Sequence, residues 1–296
     1  MSGLDMGARP RPAEPARHLA GNGDTDTMIS LTRSHHTDTA PGSVALPDGD
    51  RPPLMISCGV GVDSVAMLVG LAARGIRPDL IQFADTGSEK AQTYLYVPLL
   101  RQWLRDQGFP DLVTVWYRGP IAQDESLHAA CQRKQMLPDI AYAFQRRGCS
   151  VKWKHDPLES WRKRWLPADR AGRLMIGFDA TETARTFRAE SHGQRWQTSY
   201  PLQEWGWDRA ECERQIAAAG LPVPVKSACF MCPASKQHEV RDLARNDPAQ
   251  HAAALDIENG FRAGPGYRGK SASVQGLGCS FRWGTLPTVE PQLTLF

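Results

Sequence analysis

The chain has 296 residues, of which 41% are hydrophobic and 23% are charged, a globular composition that excludes a collagen-like, coiled-coil or wholly disordered protein. Its net charge is +3, but residues 1–50 hold seven acids and four arginines, so the rest of the chain is more basic and suits a polyanionic substrate or partner. No apolar run approaches the length that spans a bilayer, so we expect a cytoplasmic protein that does not enter membranes.

The first 52 residues are rich in proline, glycine, aspartate, threonine and arginine and have no sustained apolar periodicity. Such a segment buries too little apolar surface to offset the entropy that is lost on ordering. We therefore expect a disordered tail over residues 1–52. An α/β domain over 53–200, a helical part over 201–262 and a loop-rich tail over 263–296 complete the predicted organisation.

Apolar runs and helical spacing alternate from residue 54 onward. This alternation predicts parallel βαβ units and hence an α/β fold with a doubly wound, mostly parallel sheet, followed by a helical C-terminal part that contains cysteines. The predicted elements are strands at 54–58, 80–84, 112–117 and 174–178 and helices at 64–74, 89–107, 208–219 and 236–258.

A glycine-rich turn joins the first predicted strand to the first helix. Glycines let a backbone approach a phosphate closely, the helix that follows favours negative charge at its N-terminus, and serines can donate hydroxyl hydrogen bonds. The turn lacks the Gly-Lys-Ser/Thr ending of a Walker A loop and is not a Gly-x-Gly-x-x-Gly fingerprint. A purely structural turn is the alternative. The sequence reads Ser57-Cys58-Gly59-Val60-Gly61-Val62-Asp63-Ser64.

The turn resembles the pyrophosphate loop of the PP-loop ATP pyrophosphatases, which is written Ser-Gly-Gly-x-Asp-Ser and falls here on residues 59–64. The resemblance implies an adenine nucleotide alpha-hydrolase-like fold, with ATP and Mg²⁺ as cofactors and pyrophosphate held by the loop. Ser57 is the candidate for the missing hydroxyl. The matching residues are Gly61, Asp63 and Ser64, and the differing ones are Gly59 and Val60.

The second predicted strand ends at Asp85-Thr86-Gly87, at the edge where a doubly wound sheet binds its ligand. Proteins similar to phosphoadenylylsulfate (PAPS) reductase carry Asp-Thr-Gly here, followed by an acid, which on this chain is Glu89. The resemblance implies that Asp85, Thr86 and Gly87 lie near the adenosine or the reacting phosphates. A plain strand-to-helix cap is the alternative.

Residues 177–185 resemble the Gly-x-Arg/Asp-x-x-Glu-x-x-Arg segment of the same family. Arg185 and Arg188 are the candidate ligands of a phosphate or sulfate, because the guanidinium fork matches such oxygens in pairs. Alternatively, Glu182 and Arg185 form only a surface pair on a helix.

The C-terminal half carries a second resemblance. Residues 200–205 are similar to the Pro-Leu-x-x-Trp segment of PAPS reductases, sulfate adenylyltransferase small subunits and DNA phosphorothioation sulfur-transfer proteins. A Cys-x-x-Cys commonly follows it there, and here it comprises Cys229 and Cys232. Cys149 lies in a stretch that resembles their Cys-Cys-x-x-x-Lys element. Over residues 54–258 the chain thus resembles this family, near its DNA phosphorothioation and phage PAPS-reductase-like branch.

The cysteines are candidate metal ligands, because two thiolates three residues apart can bind one soft metal ion. Three thiolates would suit a [4Fe-4S] cluster with one open position, as the resemblance to tRNA thiolation enzymes implies, and four would suit a closed zinc site. A redox dithiol is the alternative for the Cys-x-x-Cys pair. The candidate ligands are Cys149, Cys229, Cys232 and Cys279, and the expected free buried thiols are Cys58, Cys131 and Cys212.

The segment over residues 146–173 is basic and contains Trp153, Trp161 and Trp165. Cations beside indoles can bind phosphates and stack bases, as on a surface for nucleic acid. A half-buried amphipathic helix with a solvated basic face explains the same residues, and we prefer this second interpretation.

These features predict a PP-loop enzyme that binds ATP or an adenylylated sulfonucleotide and activates an acceptor by adenylation for sulfur transfer. Expected partners are the nucleotide, either a nucleic acid (tRNA or DNA) or a sulfur-donor protein, and a second copy of the chain in a homodimer. One alternative is reduction of PAPS or APS, although the terminal Glu-Cys-Gly motif of the reductases is missing. The other is a non-catalytic nucleotide- or DNA-binding module. The candidate catalytic residues are Asp63, Ser64, Cys229 and Cys232.

Overall fold

A five-stranded parallel sheet forms the centre of the fold. Its strands are β1 (Leu54–Ser57), β2 (Leu80–Asp85), β3 (Leu112–Trp116), β4 (Gly172–Ile176) and β5 (Trp196–Ser199). They lie in the order β3-β2-β1-β4-β5, so the direction of winding reverses between β1 and β4. The predicted α/β class with a doubly wound parallel sheet is therefore confirmed.

Helices connect and cover the strands. The computed structural model describes residues 39–49, 51–118, 126–138, 148–183, 195–264, 274–278 and 280–287. Within them, the α-helices of four or more residues are α1 (Val62–Ala73), α2 (Ala91–Asp106), α3 (Leu127–Arg133), α4 (Asp156–Trp165), α5 (Pro201–Glu204), α6 (Arg209–Ala218), α7 (Gln237–Asn246) and α8 (Pro248–Ala263). None of these described helices is long and apolar enough to cross a membrane.

Some of the predicted features fall outside the described residues. The candidate anion ligands Arg185 and Arg188 are among them, and so is the candidate metal ligand Cys279. The described residues all belong to one compact unit. The domain boundaries expected after residues 52, 200 and 262 stay predictions.

Residues 39–49, which their composition assigns to the N-terminal tail, contact helix α4. The indole N–H of Trp161 donates to the carbonyl oxygen of Thr39 at 2.6 Å, and that of Trp165 donates to the carbonyl oxygen of Val44 at 3.0 Å. These two hydrogen bonds attach the segment to the face of the sheet that α4 covers.

Apolar residues cover both faces of the sheet, as expected when helices lie on both sides of parallel strands. On one face, α1 and α6 pack together through buried residues that include Cys212 and Ile216. On the other face, Met55 of β1 packs against Trp161 and Trp165. Burial on both faces explains why β1 and β2 read as continuous apolar runs rather than as alternating patterns.

The three tryptophans of the basic segment are buried. Trp153 is 6% exposed, Trp161 1% and Trp165 5%, so the interpretation as a half-buried amphipathic helix is confirmed. Because buried indoles cannot stack on bases, the alternative of a base-stacking surface on these residues is wrong. One cation of the segment is buried as well, since Arg162 is 3% exposed and donates to Gln82 and Glu159, each at 3.3 Å.

Two elements differ from the sequence-based expectation. The single helix predicted over 236–258 is wrong, because α7 ends at Asn246 and α8 begins at Pro248. Proline disfavours helical backbone at the residue before it, and it suits the first turn of a new helix. Asp247 caps α8 by accepting the N–H of Gln250 at 3.0 Å. Strand β5 was not predicted because its sequence, Trp-Gln-Thr-Ser, contains no apolar run.

Candidate functional site

The described candidate residues for nucleotide binding lie at the carboxyl ends of β1, β2 and β4. The glycine-rich loop over residues 58–61 follows β1, Asp85 ends β2, and Gly177 follows β4. In doubly wound sheets ligands bind outside this edge, at the point where the strand order reverses. Here the reversal lies between β1 and β4, so the loop and Gly177 flank it.

The loop turns sharply from β1 into α1. The N–H of Cys58 donates to the carbonyl oxygen of Gln82 at 2.8 Å. At the start of the helix, the hydroxyl of Ser64 donates to the carbonyl oxygen of Gly61 at 3.0 Å and accepts the Gly61 N–H at 3.2 Å. Ser64 therefore closes the first turn of α1, and its predicted contact with phosphate stays a prediction.

Val60 has a left-handed backbone with φ of 57°, which β-branched residues rarely adopt. The residue stands where the pyrophosphate-loop pattern has its first glycine. Val60 therefore adopts a conformation that glycine would adopt without strain. Such backbone strain costs about 1–3 kcal/mol. Burial offsets it, since the Val60 side chain is 1% exposed.

Three carboxylates meet beside the loop. Asp63 lies in the first turn of α1, while Asp179 and Glu182 follow β4, and one oxygen from each lies within 4.8 Å of the other two. Asp179 is held in place because it accepts both the N–H of Thr181 at 2.8 Å and its hydroxyl at 2.6 Å. In the described part of the chain this is the one group of three acidic, histidine or cysteine ligands so closely spaced. Oxygen donors of this kind fit a hard cation such as Mg²⁺.

Asp85 and Thr86 are almost fully buried, with 2% and 1% of their surface exposed. Asp85 accepts the N–H of Gly87 and the hydroxyl of Tyr94, both at 2.8 Å. Thr86 donates to Glu89 at 2.9 Å. Burial, followed by the charges of Asp85 and Glu89, raises the pKa of Tyr94, so this hydroxyl remains a donor. These contacts fix the turn after β2, and the predicted contact of the segment with nucleotide stays a prediction.

Cys229 is half-buried and borders the buried residues Thr86 and Glu89. Its sulfur is 3.3 Å from the hydroxyl oxygen of Thr86 and 3.8 Å from a carboxylate oxygen of Glu89. The ammonium of Lys154 lies 2.7 Å from the same carboxylate oxygen. Burial, with the charge of Glu89, raises the pKa of the Cys229 thiol well above its usual value, against the opposing effect of Lys154.

Backbone pairing joins the Cys-x-x-Cys segment to the end of β2. Glu89 and Cys229 form an antiparallel β-bridge. The N–H of Phe230 donates to the carbonyl oxygen of Ser88 at 2.9 Å, and that of Lys90 donates to Ala228 at 3.3 Å. The cysteine motif therefore lies at the same edge of the sheet as the glycine-rich loop.

The candidate metal ligands are only partly assembled. Cys149 and Cys229 pack against one buried apolar cluster, and the N–H of Cys232 donates to the carbonyl oxygen of Cys229 at 3.1 Å. Thiolates suit a soft metal, but among the described residues these three sulfurs do not all lie within 4.8 Å of one another. Ligands of one tetrahedral zinc ion would be about that close, and the zinc alternative stays a prediction because the fourth candidate, Cys279, lies outside the described residues. The [4Fe-4S] assignment stays a prediction. Cys58, Cys131 and Cys212 are buried, as expected.

Three residues at the site were not identified from the sequence. Ser227 donates its hydroxyl to the carbonyl oxygen of Gly59, Arg209 lies 3.4 Å from Asp63, and Lys154 pairs with Glu89. Only Lys154 lies in a recognised pattern, the lysine that follows Cys149. The other two reach the site from distant parts of the chain, and no local pattern indicates them.

No protein-family model matches the chain, and no curated protein matches it. Among solved structures, it is similar to phosphoadenylyl-sulfate (PAPS) reductase from Candida auris in its phosphate complex, with 17% sequence identity and a TM-score of 0.40. The match covers 69% of this chain and 90% of that chain. At this distance the likeness identifies neither a family nor an activity, so the function has to be inferred from the site.

Proposed function

We propose that this chain is a PP-loop enzyme that binds ATP with Mg²⁺ and activates an acceptor by adenylation for sulfur transfer. The observation that carries the proposal is the group of carboxylates formed by Asp63, Asp179 and Glu182 beside the glycine-rich loop. Its position at the reversal of the strand order is where a doubly wound sheet binds nucleotides.

The charges at the site favour a metal-bound polyphosphate. The amides of the loop and the N-terminus of α1 attract an anion, and the three carboxylates beside them offer oxygen ligands to a hard cation. Mg²⁺ held by Asp63, Asp179 and Glu182 would place positive charge next to a phosphate bound at the loop. ATP with Mg²⁺ therefore fits the site better than a sulfonucleotide held without a cation.

In the proposed reaction, an acceptor oxygen attacks the α-phosphorus of ATP, the bond to the β-phosphate breaks, and pyrophosphate leaves. The loop amides and the α1 N-terminus hold the pyrophosphate. Mg²⁺, when bound, would neutralise the negative charge of the pyrophosphate. A sulfur nucleophile from a donor then attacks the activated atom of the acceptor, and AMP leaves with the original oxygen. The site thus exchanges an oxygen for a sulfur at the expense of one ATP.

The position of the cysteines supports sulfur chemistry at this site. Cys229 pairs with Glu89 in the turn after β2, and that turn lies beside the loop at the same edge of the sheet. In the proposal Cys229 and Cys232 carry the sulfur or hold the metal that does. Lys154, next to Glu89, provides a positive charge for a developing thiolate.

Binding of ATP and of PAPS in Mg²⁺ and in EDTA tests the proposal. We expect ATP to bind only with Mg²⁺, and AMP and pyrophosphate to form when sulfide and a tRNA or DNA acceptor are added. Tighter, metal-independent binding of PAPS, with release of sulfite in the presence of thioredoxin, would instead establish a reductase. Tight nucleotide binding without turnover, together with DNA binding that weakens steeply with salt, would establish a binding module.

A further inference from the structure

Ser227 contacts the glycine-rich loop although 168 positions of sequence separate it from Gly59. Its hydroxyl donates a hydrogen bond to the carbonyl oxygen of Gly59. Gly59 is exposed and Ser227 is half-buried, so this hydrogen bond lies at the solvent-facing side of the loop.

The side chain of Ser227 fills the space beside the two loop glycines. A β-carbon on Gly59 would lie 3.5 Å from the Ser227 hydroxyl oxygen, and one on Gly61 would lie 2.9 Å from the Ser227 β-carbon. The pyrophosphate-loop pattern has a serine at the position of Gly59. On this chain, therefore, a hydroxyl from the C-terminal half lies next to the position where the loop itself has none.

Other contacts hold the segment that carries Ser227. The pairing of Glu89 with Cys229 and the backbone hydrogen bonds to Ala228 and Phe230 attach it to the turn after β2. None of these contacts uses the hydroxyl of Ser227. The hydroxyl is consequently presented to the loop by a support that does not depend on it.

We propose that Ser227 supplies the hydroxyl that the loop lacks at Gly59, and that this hydroxyl donates a hydrogen bond to a phosphate oxygen of the bound nucleotide. This inference rests on the proposed function, because it takes the loop to be a nucleotide phosphate site. Rotation about the bond between the β-carbon and the oxygen moves the single proton from the Gly59 carbonyl to the phosphate, with no movement of the backbone. Ser227 thereby takes the role that the sequence assigned to Ser57.

A rival role for Ser227 is purely structural. Its hydrogen bond to Gly59 would then only hold the segment that carries Ser227 against the loop. The two roles make different predictions when the hydroxyl is moved to the other side of the contact. In the double variant Gly59→Ser/Ser227→Ala, the loop regains a hydroxyl but residue 227 can no longer donate to residue 59. A serine fits at position 59, since its β-carbon would be at ordinary contact distance from residue 227.

The experiment measures the Kd for ATP with Mg²⁺, and for pyrophosphate, by calorimetry, together with the Tm of each variant. We expect Ser227→Ala to weaken binding roughly ten- to a hundredfold, as for loss of a hydrogen bond to a charged group, and the double variant to restore most of it. Unchanged binding by Ser227→Ala, or a double variant that binds as weakly as Ser227→Ala, would overturn the inference.

A second pair of variants covers the case in which the double variant fails to fold. Ser227→Thr and Ser227→Val have the same shape and differ in the hydroxyl, so the inference requires that only the valine variant loses affinity. Equal affinities of these two variants would contradict it. If the wild-type protein binds neither ATP with Mg²⁺ nor pyrophosphate, the proposed function itself is contradicted. This outcome needs no variant, so it is distinguishable from a failure of the inference about Ser227.

Discussion

A β-carbon on Gly177 would lie 2.8 Å from the carbonyl carbon and oxygen of Asp63. The backbone that leaves β4 therefore touches the first turn of α1 with no room for a side chain. Two residues after Gly177, Asp179 reaches the carboxylate group that it forms with Asp63. The contact therefore sets the distance between Asp63 on α1 and Asp179 after β4.

The first prediction concerns this contact. We expect Gly177→Ala to lower the free energy of unfolding by about 1–3 kcal/mol, because the added methyl overpacks the contact, and to weaken ATP binding with Mg²⁺ by moving Asp179 away from Asp63. Urea unfolding and calorimetry measure the two effects. The control is Gly260→Ala in α8, where a β-carbon meets nothing within 4 Å and alanine stabilises the helix by up to about 1 kcal/mol. Native affinity in Gly177→Ala would contradict the prediction.

The second prediction concerns the charge of the carboxylate group. Asp63→Asn removes one negative ligand and keeps the shape of the side chain, so we expect ATP binding to weaken about tenfold or more and to lose most of its dependence on Mg²⁺. Asp63→Ala should abolish turnover with the fold intact by circular dichroism. Asp242→Asn, an exposed aspartate paired with Arg245 on α7, serves as the control and should bind ATP as the wild type does. Unchanged turnover in Asp63→Ala would exclude the loop as the pyrophosphate site.

The third prediction concerns the metal. Protein purified without oxygen should contain iron and acid-labile sulfide, and Cys229→Ser should lose both, because serine is a poor ligand for a soft metal. Cys212→Ala, which changes a fully buried thiol between α1 and α6, should retain the wild-type content. Zinc without sulfide would exclude the cluster, and a wild-type protein without either metal would exclude the cysteines as ligands.

The fourth prediction concerns stability at acid pH. Burial alone would raise the pKa of Glu159, but the hydrogen bonds from Trp196 and the charges of Arg162 and Lys163 hold it below its usual value. A lowered pKa means that the carboxylate stabilises the folded state above the pKa of unfolded Glu, and that this stabilisation is lost as the pH falls through the folded pKa. Glu159→Gln should therefore be less stable at pH 7 and lose less stability below about pH 4 than the wild type. Parallel pH profiles of unfolding for the two proteins would contradict this assignment.

The sequence predicts the sheet and its glycine-rich loop because both depend on local patterns. The apolar run of β1, the turn at Gly59 and the helical spacing of α1 are contiguous, and the structure contains them with small shifts of their ends. The break at Pro248 is equally local, but the surrounding helical periodicity concealed it. Strand β5 is held in the sheet by its pairing with β4 and by no apolar run of its own.

The contacts that complete the site could not be predicted, because they join distant segments. The sequence identifies Glu89 only as an acid after Asp-Thr-Gly, whereas its long-range partners are Lys154 and Cys229, from two other parts of the chain. Ser227 lies in a stretch without a pattern, and its neighbour at the site is the loop after β1. Only the folded backbone brings these residues together.

One short segment carries both Ser227, which contacts the glycine-rich loop, and Cys229, which pairs with Glu89. The two residues are separated by one residue, Ala228. Any displacement of this segment moves both groups. If a nucleotide on the loop changes how readily Cys229 binds a metal or accepts a sulfur atom, the state of Cys229 must change nucleotide affinity by the same factor, since coupling between two sites is reciprocal. If that coupling is favourable, an enzyme of the proposed kind would bind ATP more tightly when Cys229 carries a sulfur atom than when it does not.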